Sequence, residues 1–250
     1  MHVRRKLVVG NWKMNGSVAH LRHLMGIGDA AERAGGVDVA ICPPFTLIAA
    51  AVTRSAGRLT IGAQDCHSEV SGAFTGSVSA PMIKEAGGRI AIVGHSERRA
   101  GQNETDPVVR GKAEAALRHG LTAIVCVGES EIDRGAGDQW PVVERQLAGS
   151  LPDAWEEGEL VVAYEPVWAI GTGKVATPAD VTEMHAAIRG HLVDRFGDAG
   201  NRIRILYGGS MKPDNAAELF ACRDVHGGLV GGASLTAAEF VPIIEAAAAS

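Results

Sequence analysis

Three side chains that could perform acid–base chemistry each stand at or just after the end of a short apolar run. Glu165 follows LVVAY, His95 follows RIAIVG, and Lys13 comes two residues after KLVVGN. A carboxylate can take a proton, a neutral imidazole can donate one and accept it back, and an ammonium group stabilises a negatively charged oxygen. Taken singly, the three residues also fit a solvated acid, a hydrogen-bonded core histidine and a surface lysine. Their shared position after apolar runs is what points to one site.

Eight apolar runs alternate with longer segments of helical spacing along the chain. The runs are rich in Val and Ile and apolar on both alternations, which is typical of strands covered on both faces: KLVVGN, VDVAIC, LTIGAQ, RIAIVGH, LTAIVCVG, ELVVAYE, IRILYG and GLVGGA. The clearest helix begins at Thr177, a capping residue followed by Pro178 and, three residues after the cap, Asp180. Its apolar face continues at three- and four-residue steps through Val181, Met184, Ile188 and Leu192.

Alternating strands and helices predict a parallel sheet with right-handed crossovers. Eight such units in 250 residues, without a linker, favour a single α/β domain over residues 1–250, a (β/α)8 TIM barrel of eight parallel strands within an outer ring of helices. An open doubly wound sheet is the alternative, but its usual G-x-G-x-x-G turn after the first strand is missing. In a barrel the loops after the strands form one mouth, so Glu165, His95 and Lys13 converge there.

Further polar and glycine residues are placed at the same mouth. Asn11 ends the first strand, Gly208-Gly209 and Ser210 follow the seventh, and Gly231-Gly232 follow the eighth. The glycine pairs fit tight turns, but loops after strands seven and eight of a barrel commonly bind phosphate through backbone N–H groups. A base, a neutral acid, a cation and a phosphate cradle predict proton abstraction beside a carbonyl of a small phosphorylated substrate, with no metal or other cofactor.

The segment after Glu165 combines stiff and flexible residues. Pro166 fixes its own φ and lacks a backbone donor, so it holds the direction in which the chain leaves the strand. We expect the apolar Trp168 and Ile170 to close over the carboxylate, exclude water and raise its basicity. His95 directly precedes a predicted helix, whose positive end disfavours an imidazolium ion and so favours the neutral ring.

Composition argues against several classes of protein. The formal charge of -5, with no Lys/Arg stripe, argues against a nucleic-acid partner. No stretch approaches the roughly 20 apolar residues of a membrane span, and the apolar stretch near the start ends at Gly10, too early for a signal peptide. The cysteines form no CxxC pairs and indicate reduced thiols: Cys42, Cys66, Cys126 and Cys222. We therefore expect a cytoplasmic protein.

Several segments together resemble the triosephosphate isomerase family: GNWKMN, GAFTGSVSAPM, VGHSERR, CVGES, AYEPVWAIGTGK and ILYGGS with VGGASL. They occur in that family's order and extend over residues 10–235. The resemblance implies an enzyme of glycolysis and gluconeogenesis that interconverts dihydroxyacetone phosphate and D-glyceraldehyde 3-phosphate through an enediolate. The catalytic residues that it implies are the base Glu165, the electrophile His95, the electrostatic anchor Lys13 and the substrate contact Asn11.

The resemblance also assigns phosphate-binding, supporting and lid residues. The phosphate would accept backbone N–H bonds from Gly171, Ser210, Gly231 and Gly232, and the supporting residues would be Glu97, Ser96 and Cys126. A lid would have one hinge at residues 166–168, a tip at 169–173 and a second hinge at 174–176. Its closure would carry the Gly171 N–H to the phosphate and keep water from the enediolate.

A second long segment, residues 65–79, exceeds the usual length of a connection. The resemblance implies that it inserts into a second copy of the chain, with Thr75 reaching the neighbouring active site. We therefore expect a homodimer whose isolated monomer has an incomplete site.

The sequence departs from the family pattern in four places, one of which is a pair of residues. Ser77 replaces a Glu that pairs with Arg98 across the interface. His226 replaces an Asp that pairs with Arg189, so Arg189 is expected to lack its customary partner. Gln102-Asn103 replaces a Phe-Gly near the interface, and Pro242 is expected to delay or kink the last helix because it lacks a backbone donor.

Two other classes of function would use the same barrel. A Schiff-base aldolase needs a buried lysine at the end of an inner strand, whereas the sixth strand ends in Glu165. A barrel that only binds sugar phosphates would tolerate changes at His95 or Glu165, whereas the complete set is present in this sequence.

Overall fold

The computed structural model describes residues 4–155 and 158–250. Its eight parallel strands close into a barrel in chain order, with the first strand paired to both the second and the eighth. The predicted (β/α)8 barrel is therefore confirmed. The strands are β1 (Lys6–Asn11), β2 (Val37–Cys42), β3 (Thr60–Ala63), β4 (Ile90–Val93), β5 (Thr122–Val127), β6 (Leu160–Tyr164), β7 (Arg204–Tyr207) and β8 (Gly227–Val230).

Helices follow the strands around the outside of the barrel. In the described ranges they are α1 (His23–Ala34), α2 (Ile48–Ser55), α3 (Ala80–Glu85), α4 (Ser96–Gly101), α5 (Asp106–Arg118), α6 (Glu131–Ala136), α7 (Gln139–Ser150), α8 (Pro178–Phe196), α9 (Pro213–Phe220) and α10 (Ala237–Ala248). Within these ranges no helix combines the length and the apolar character that a bilayer crossing requires.

The core consists of two layers because neighbouring strand residues point to opposite sides. Alternate residues fill the barrel interior: Leu7, Val9, Ala40, Cys42, Ile90, Ile92, Ile124, Cys126, Val161, Ala163, Leu206 and Leu229. The intervening strand residues pack outward against the helices, as Val8, Ile41 and Val162 do. Burial on both faces explains why the strand sequences are apolar on both alternations.

The predicted helix start at Thr177 is confirmed. The Thr177 hydroxyl accepts a hydrogen bond from the Asp180 N–H at 3.2 Å, and the Asp180 carboxylate accepts from the Thr177 N–H at 2.9 Å. Pro178 occupies the first turn, where the helix has no use for its missing donor. The predicted apolar face of α8 is buried: Val181, Met184, Ile188 and Leu192.

A buried arginine, Arg189, lies near the amino end of the barrel and has a full set of partners. Arg189 donates from Nε to Asp224 at 3.0 Å and from its terminal nitrogens to the carbonyls of Gly200 and Ile203. The expectation that His226 leaves Arg189 without a carboxylate partner is therefore wrong, because the nearby Asp224 supplies one.

Two other departures are absorbed by the backbone. Asn103, which stands in the place of the family's glycine, has a left-handed φ of 54°. Asparagine tolerates this conformation better than most residues with a side chain. Helix α10 begins five residues before Pro242 and continues through it, so the helix is not delayed. The carbonyl that Pro242 cannot bond belongs to the exposed Ala238, where water can replace the lost donor.

Candidate active site

A cleft of about 710 Å³ lies where the carboxyl ends of the strands meet. The structure brings to it every residue that the sequence assigned to substrate or phosphate: Asn11, Lys13, His95, Glu165, Gly171, Ser210, Gly231 and Gly232. These residues come from the ends of β1, β4, β6 and β8 and from the loops after β6 and β7, so only closure of the barrel makes them neighbours.

Glu165 and His95 form the centre of the cleft. Glu165 directly follows β6, and its side chain is 2% exposed. Its Oε2 accepts a hydrogen bond from the Ser96 N–H at 2.9 Å, and its Oε1 lies 2.8 Å from Nε2 of His95. Within the described chain Oε1 has no well-aligned donor, although it is buried. One carboxylate oxygen is thus held by the backbone and the other faces the imidazole.

His95 caps the short helix α4 with its ring. Its Nδ1 accepts a hydrogen bond from the Glu97 N–H at 3.3 Å, so Nδ1 carries no proton in this arrangement. The proton of the neutral ring is then on Nε2, the nitrogen that faces Glu165. An imidazolium would point a second N–H at the Glu97 N–H, so the helix start by itself disfavours the protonated ring, whereas Glu165 on the other side of the ring favours it.

The charges of Glu165 and His95 are coupled. Burial lowers the pKa of His95, but the carboxylate of Glu165 outweighs this effect and raises that pKa above its ordinary value. Burial raises the pKa of Glu165, but His95 and the Ser96 N–H outweigh it and bring that pKa below its ordinary value. The expected rise in the basicity of Glu165 is therefore absent here, because the carboxylate has polar donors beside it and not only apolar neighbours.

Lys13 reaches the cleft from a strained backbone position. Its φ of 52° is unusual for a residue with a side chain. The Lys13 N–H donates to the Asn11 side-chain oxygen at 3.0 Å, and the Gln64 amide donates to the Lys13 carbonyl at 2.8 Å. The ammonium group lies 2.6 Å from the carboxylate of Glu97. These contacts hold a cation at the edge of the cleft.

Close packing behind Glu165 leaves its backbone little freedom. A Cβ on Gly128 would come within 1.7 Å of the Glu165 carbonyl oxygen, and one on Gly208 within 2.9 Å of its Cγ. Cys126 is fully buried in the same region, and burial, reinforced by the nearby Glu165 charge, raises the pKa of its thiol. Cys126 thus remains a neutral thiol that packs behind the carboxylate.

The opposite part of the cleft offers backbone donors. Within the described residues, the N–H groups of Gly171, Ser210 and Gly231 make no hydrogen bond to a protein acceptor. Gly231 lies beside Lys13, and the loop that continues from it is fixed because the Trp12 indole donates to the Ser234 carbonyl at 3.0 Å. Free N–H groups on a fixed loop are suited to a phosphate group.

The segment after Glu165 is anchored by a residue that the sequence analysis missed. Glu129 follows β5, is fully buried, and accepts from the Trp168 indole at 2.7 Å and from the Tyr164 hydroxyl at 3.0 Å. It also accepts through its carbonyl from the Val167 N–H at 3.0 Å. The segment CVGES carried the signal, since Glu129 is a polar residue just after a strand, like Glu165.

The far part of the same segment has looser contacts. The Ser210 hydroxyl donates to the Ala169 carbonyl at 2.7 Å, which joins the loop after β7 to the predicted lid. Lys174 pairs with Glu131, and both side chains are more than half exposed. One predicted hinge is therefore held by a buried carboxylate, whereas the other is held by a solvated ion pair.

Thr75 is the one predicted site residue that lies away from the cleft in this chain. It is exposed within residues 65–79, next to the exposed apolar residues Val70 and Phe74. Arg98, which lacks the family's Glu at position 77, pairs instead within its own chain, with Asp65 at 2.8 Å and Glu104 at 2.6 Å.

A closed parallel barrel with a carboxylate, an imidazole, a cation and free N–H groups at its carboxyl end defines a barrel enzyme equipped for proton transfer on an anionic substrate. In the described ranges no group of three or more His, Cys, Asp or Glu side chains has the arrangement of a metal site.

Comparison with known proteins identifies the family. The family model described as triosephosphate isomerase matches residues 6–247. Triosephosphate isomerase of Ruegeria sp. (strain TM1040) is 57% identical over 248 residues, which are 98% of this chain and 99% of the relative. That of Afipia carboxidovorans is 57% identical over 244 residues, 97% of each chain. A crystal structure of triosephosphate isomerase from Bartonella henselae has a TM-score of 0.89, 44% identity, and coverage of 97% of this chain and 98% of the other. The chain belongs to the triosephosphate isomerase family.

Proposed function

We propose that this protein is a triosephosphate isomerase that interconverts dihydroxyacetone phosphate and D-glyceraldehyde 3-phosphate without a metal or organic cofactor. The observation that carries the proposal is the contact of 2.8 Å between His95 Nε2 and the Glu165 carboxylate, in a cleft that also contains a cation and free N–H groups. Family membership supports the choice of substrate.

In the proposed reaction the phosphate accepts hydrogen bonds from the N–H groups of Gly171, Ser210, Gly231 and Gly232. Glu165 takes a proton from the carbon beside the carbonyl, and the electron pair of the C–H bond moves to the carbonyl oxygen and creates an enediolate. His95 donates its Nε2 proton to that oxygen and takes the proton of the neighbouring hydroxyl. Glu165 then returns its proton to the other carbon, which completes the isomerisation.

The contacts of Glu165 in the substrate-free structure bear on its strength as a base. Ser96 N–H and His95 both lower the pKa of the carboxyl. A carboxylate that turns from these groups toward substrate carbon loses both contacts, while the surrounding apolar residues still disfavour its charge. Its pKa then rises. The movement that brings the base to the substrate would therefore also increase its basicity.

Lys13 and Asn11 act on the developing oxyanion, and Glu97 holds Lys13 in place. The ammonium group of Lys13 stabilises the negative charge, and the Asn11 amide orients both the Lys13 backbone and the substrate. The ion pair with Glu97 keeps the Lys13 side chain at the cleft. Residues 166–176 would close over the intermediate, so that water does not reach the enediolate and phosphate is not expelled.

We also propose that the protein acts as a cytoplasmic homodimer in glycolysis and gluconeogenesis. Exposed apolar side chains on and beside residues 65–79 support an interface there: Met14, Phe45, Val70, Phe74 and Met82. Thr75 on this segment would enter the site of the second copy. A dilute sample that is monomeric by analytical ultracentrifugation should lose most of its activity. A fully active monomer would contradict the proposed homodimer but would not bear on the proposed reaction mechanism.

The proposed function is tested by the rate of aldehyde formation from dihydroxyacetone phosphate. Glu165→Gln keeps the size of the side chain but removes the base, so turnover should fall by several orders of magnitude while inorganic phosphate still binds. Glu218→Gln, an exposed change on α9, is the matched control and should leave turnover unaltered. Equal turnover in wild type and Glu165→Gln would exclude Glu165 as the base. An inactive wild type that binds phosphate would support a barrel that only binds sugar phosphates.

A further inference from the structure

Arg99 links four separate parts of the chain behind the active site. On α4, its Nε donates to the Gly94 carbonyl at 2.8 Å, and one terminal nitrogen lies 2.6 Å from the Asp106 carboxylate. The other terminal nitrogen donates to the Cys126 carbonyl at 3.0 Å and to the Ser150 hydroxyl at 3.0 Å. The side chain is 14% exposed and lines no part of the cleft.

The first of these contacts orients His95. The Gly94 carbonyl and the His95 N–H belong to one planar peptide unit, so a hydrogen bond to the carbonyl fixes the plane from which the imidazole projects. Gly94 has a φ of 67°, a left-handed conformation that residues with a side chain rarely adopt. Because glycine is the most flexible residue, the hydrogen bond from Arg99 is important for holding this conformation. A Cβ at Gly94 would meet the guanidinium of Arg99 at 3.0 Å, which shows how closely the arginine supports this turn.

The hydrogen bond from Arg99 to the Cys126 carbonyl orients the backbone of Glu165 in a similar way. The Cys126 carbonyl shares its peptide plane with the N–H of Val127, and the Val127 carbonyl accepts a hydrogen bond from the Glu165 N–H at 2.7 Å. Arg99 therefore holds the backbone on the His95 side and on the Glu165 side of the catalytic pair with one rigid, planar group. The contact between the two side chains, 2.8 Å, depends on both backbones.

We infer that Arg99 is a positioning residue, which sets the distance between His95 and Glu165 through the carbonyls of Gly94 and Cys126. This inference rests on the proposed function, because the isomerisation is the reaction that uses the pair. A lysine keeps the charge, but its three donors radiate from one nitrogen, so it cannot bond the two carbonyls, Asp106 and Ser150 together. Asp106 and Ser150 complete the support, since the Ser150 hydroxyl also donates to Asp106 at 3.1 Å.

Arg110 offers a matched control in the same region. It lies on α5 and donates to the carbonyls of Gly149 and Ala148 at 3.0 and 2.7 Å and to Asp153 at 2.8 Å. It thus joins two helices much as Arg99 does. Within the described residues, none of its hydrogen bonds reaches the end of a strand.

The test compares Arg99→Lys and Arg110→Lys in steady-state isomerisation of dihydroxyacetone phosphate. Displacement of His95 relative to Glu165 should lower kcat of Arg99→Lys by about 10- to 100-fold, while KM stays within about twofold because the phosphate-binding loops are untouched. Arg110→Lys should change neither constant by more than about twofold. Circular dichroism and thermal unfolding establish that each variant is folded.

The outcomes separate this inference from the proposed function. A wild type without isomerase activity contradicts the proposed function itself. An active wild type with equal kcat in Arg99→Lys and Arg110→Lys overturns the positioning role of Arg99, as does a rise in KM without a fall in kcat. If Arg99→Lys does not fold, the test uses Ser150→Ala, which removes one hydrogen-bond partner of the Arg99 guanidinium. A lower kcat at constant KM in this variant supports the positioning role, and an unchanged kcat overturns it.

Discussion

Polar groups at the amino end and at the carboxyl end of the barrel differ in how completely they are paired. At the amino end, Arg204 is 9% exposed and is paired with both Asp38, at 2.7 Å, and Glu159. At the carboxyl end, Lys13 occupies a strained φ of 52°, and a buried oxygen of Glu165 has no aligned donor within the described chain.

This difference indicates at which end of the barrel polar groups remain available to a ligand. The strained backbone of Lys13 and the Glu165 oxygen without an aligned donor in the described ranges lie at the mouth, where a ligand can use them, whereas Arg204 at the amino end is paired with two carboxylates, which stabilises the barrel. Changes at the mouth should therefore affect activity more than folding, and changes at the amino end should do the reverse.

The largest effect is expected at the mouth. Lys13→Met removes the cation that we propose stabilises the enediolate, so kcat/KM should fall by about 10²- to 10³-fold or more. Unfolding by urea should change little, because the abandoned partner Glu97 is 58% exposed and can be hydrated. Lys84→Met, an exposed change on α3, is the control for loss of a positive charge. A large loss of stability in Lys13→Met would break the contrast between the two ends.

The next effect concerns pH and the amino end. Burial lowers the pKa of His185 to about 4, from 6.5, so the unfolded chain binds its proton at a higher pH than the folded one. Stability from this residue is present above pH 6.5 and is lost as pH falls toward 4, by up to roughly 3 kcal/mol. His185→Asn keeps a donor for the Asp224 carbonyl but cannot titrate. Urea unfolding between these pH values should therefore show a smaller loss of stability.

The exposed His20→Asn is the control for His185→Asn. His226, whose pKa burial lowers to about 3, remains in both variants and supplies part of the residual acid sensitivity. A wild-type stability that is constant from pH 6.5 to 4 would show that the buried His185 does not respond to acid as proposed.

A smaller effect is expected from the buried arginine of β7. Arg204→Met leaves Asp38 and Glu159 without their shared partner and should lower the free energy of unfolding by about 2 kcal/mol. The cost stays moderate because these carboxylates are 40% and 48% exposed. Turnover of the folded variant should be unchanged. Arg58→Met, which breaks the exposed contacts with Asp29 and Glu32, should cost less than about 1 kcal/mol.

The smallest effect is expected from the ion pair at the second predicted hinge of the proposed lid. Glu131→Gln breaks the solvated contact with Lys174, worth less than about 1 kcal/mol, so kcat and KM should change by about twofold or less. High salt should remove even this difference, because it screens exposed charges. A change of tenfold or more would mean that this pair, and not the buried contacts of Trp168, controls the proposed lid.

Much of the fold could be predicted because its signals are local. Apolar runs at strand length, the capping pattern at Thr177 and Asp180, and helical spacing each occupy a few neighbouring residues. Closure of the barrel followed from the number and alternation of these units, and the structure has the same strand order. Pro242 was misjudged because an exposed carbonyl can be hydrated when its helical donor is missing.

The candidate site could be predicted in its members but not in its electrostatics. Glu165, His95 and Lys13 stand out because each follows a strand, and all three line the cleft. Glu129 follows the same rule but was missed, since its partners Tyr164 and Trp168 lie more than thirty positions away. Arg99 follows no strand, and nothing local in SERR reveals its contacts with Gly94 and Cys126.

The sequence by itself determined which segments become strands and helices and which polar residues stand at the ends of strands, because these properties depend on side chains close together in the chain. Only the tertiary structure decided which atoms meet: the Ser96 N–H bonds the Glu165 carboxylate across 69 positions, and that contact helps to lower its pKa. The physical reason is that hydrogen bonds and electrostatic shifts depend on distances of a few ångströms, which barrel closure sets between segments remote in sequence.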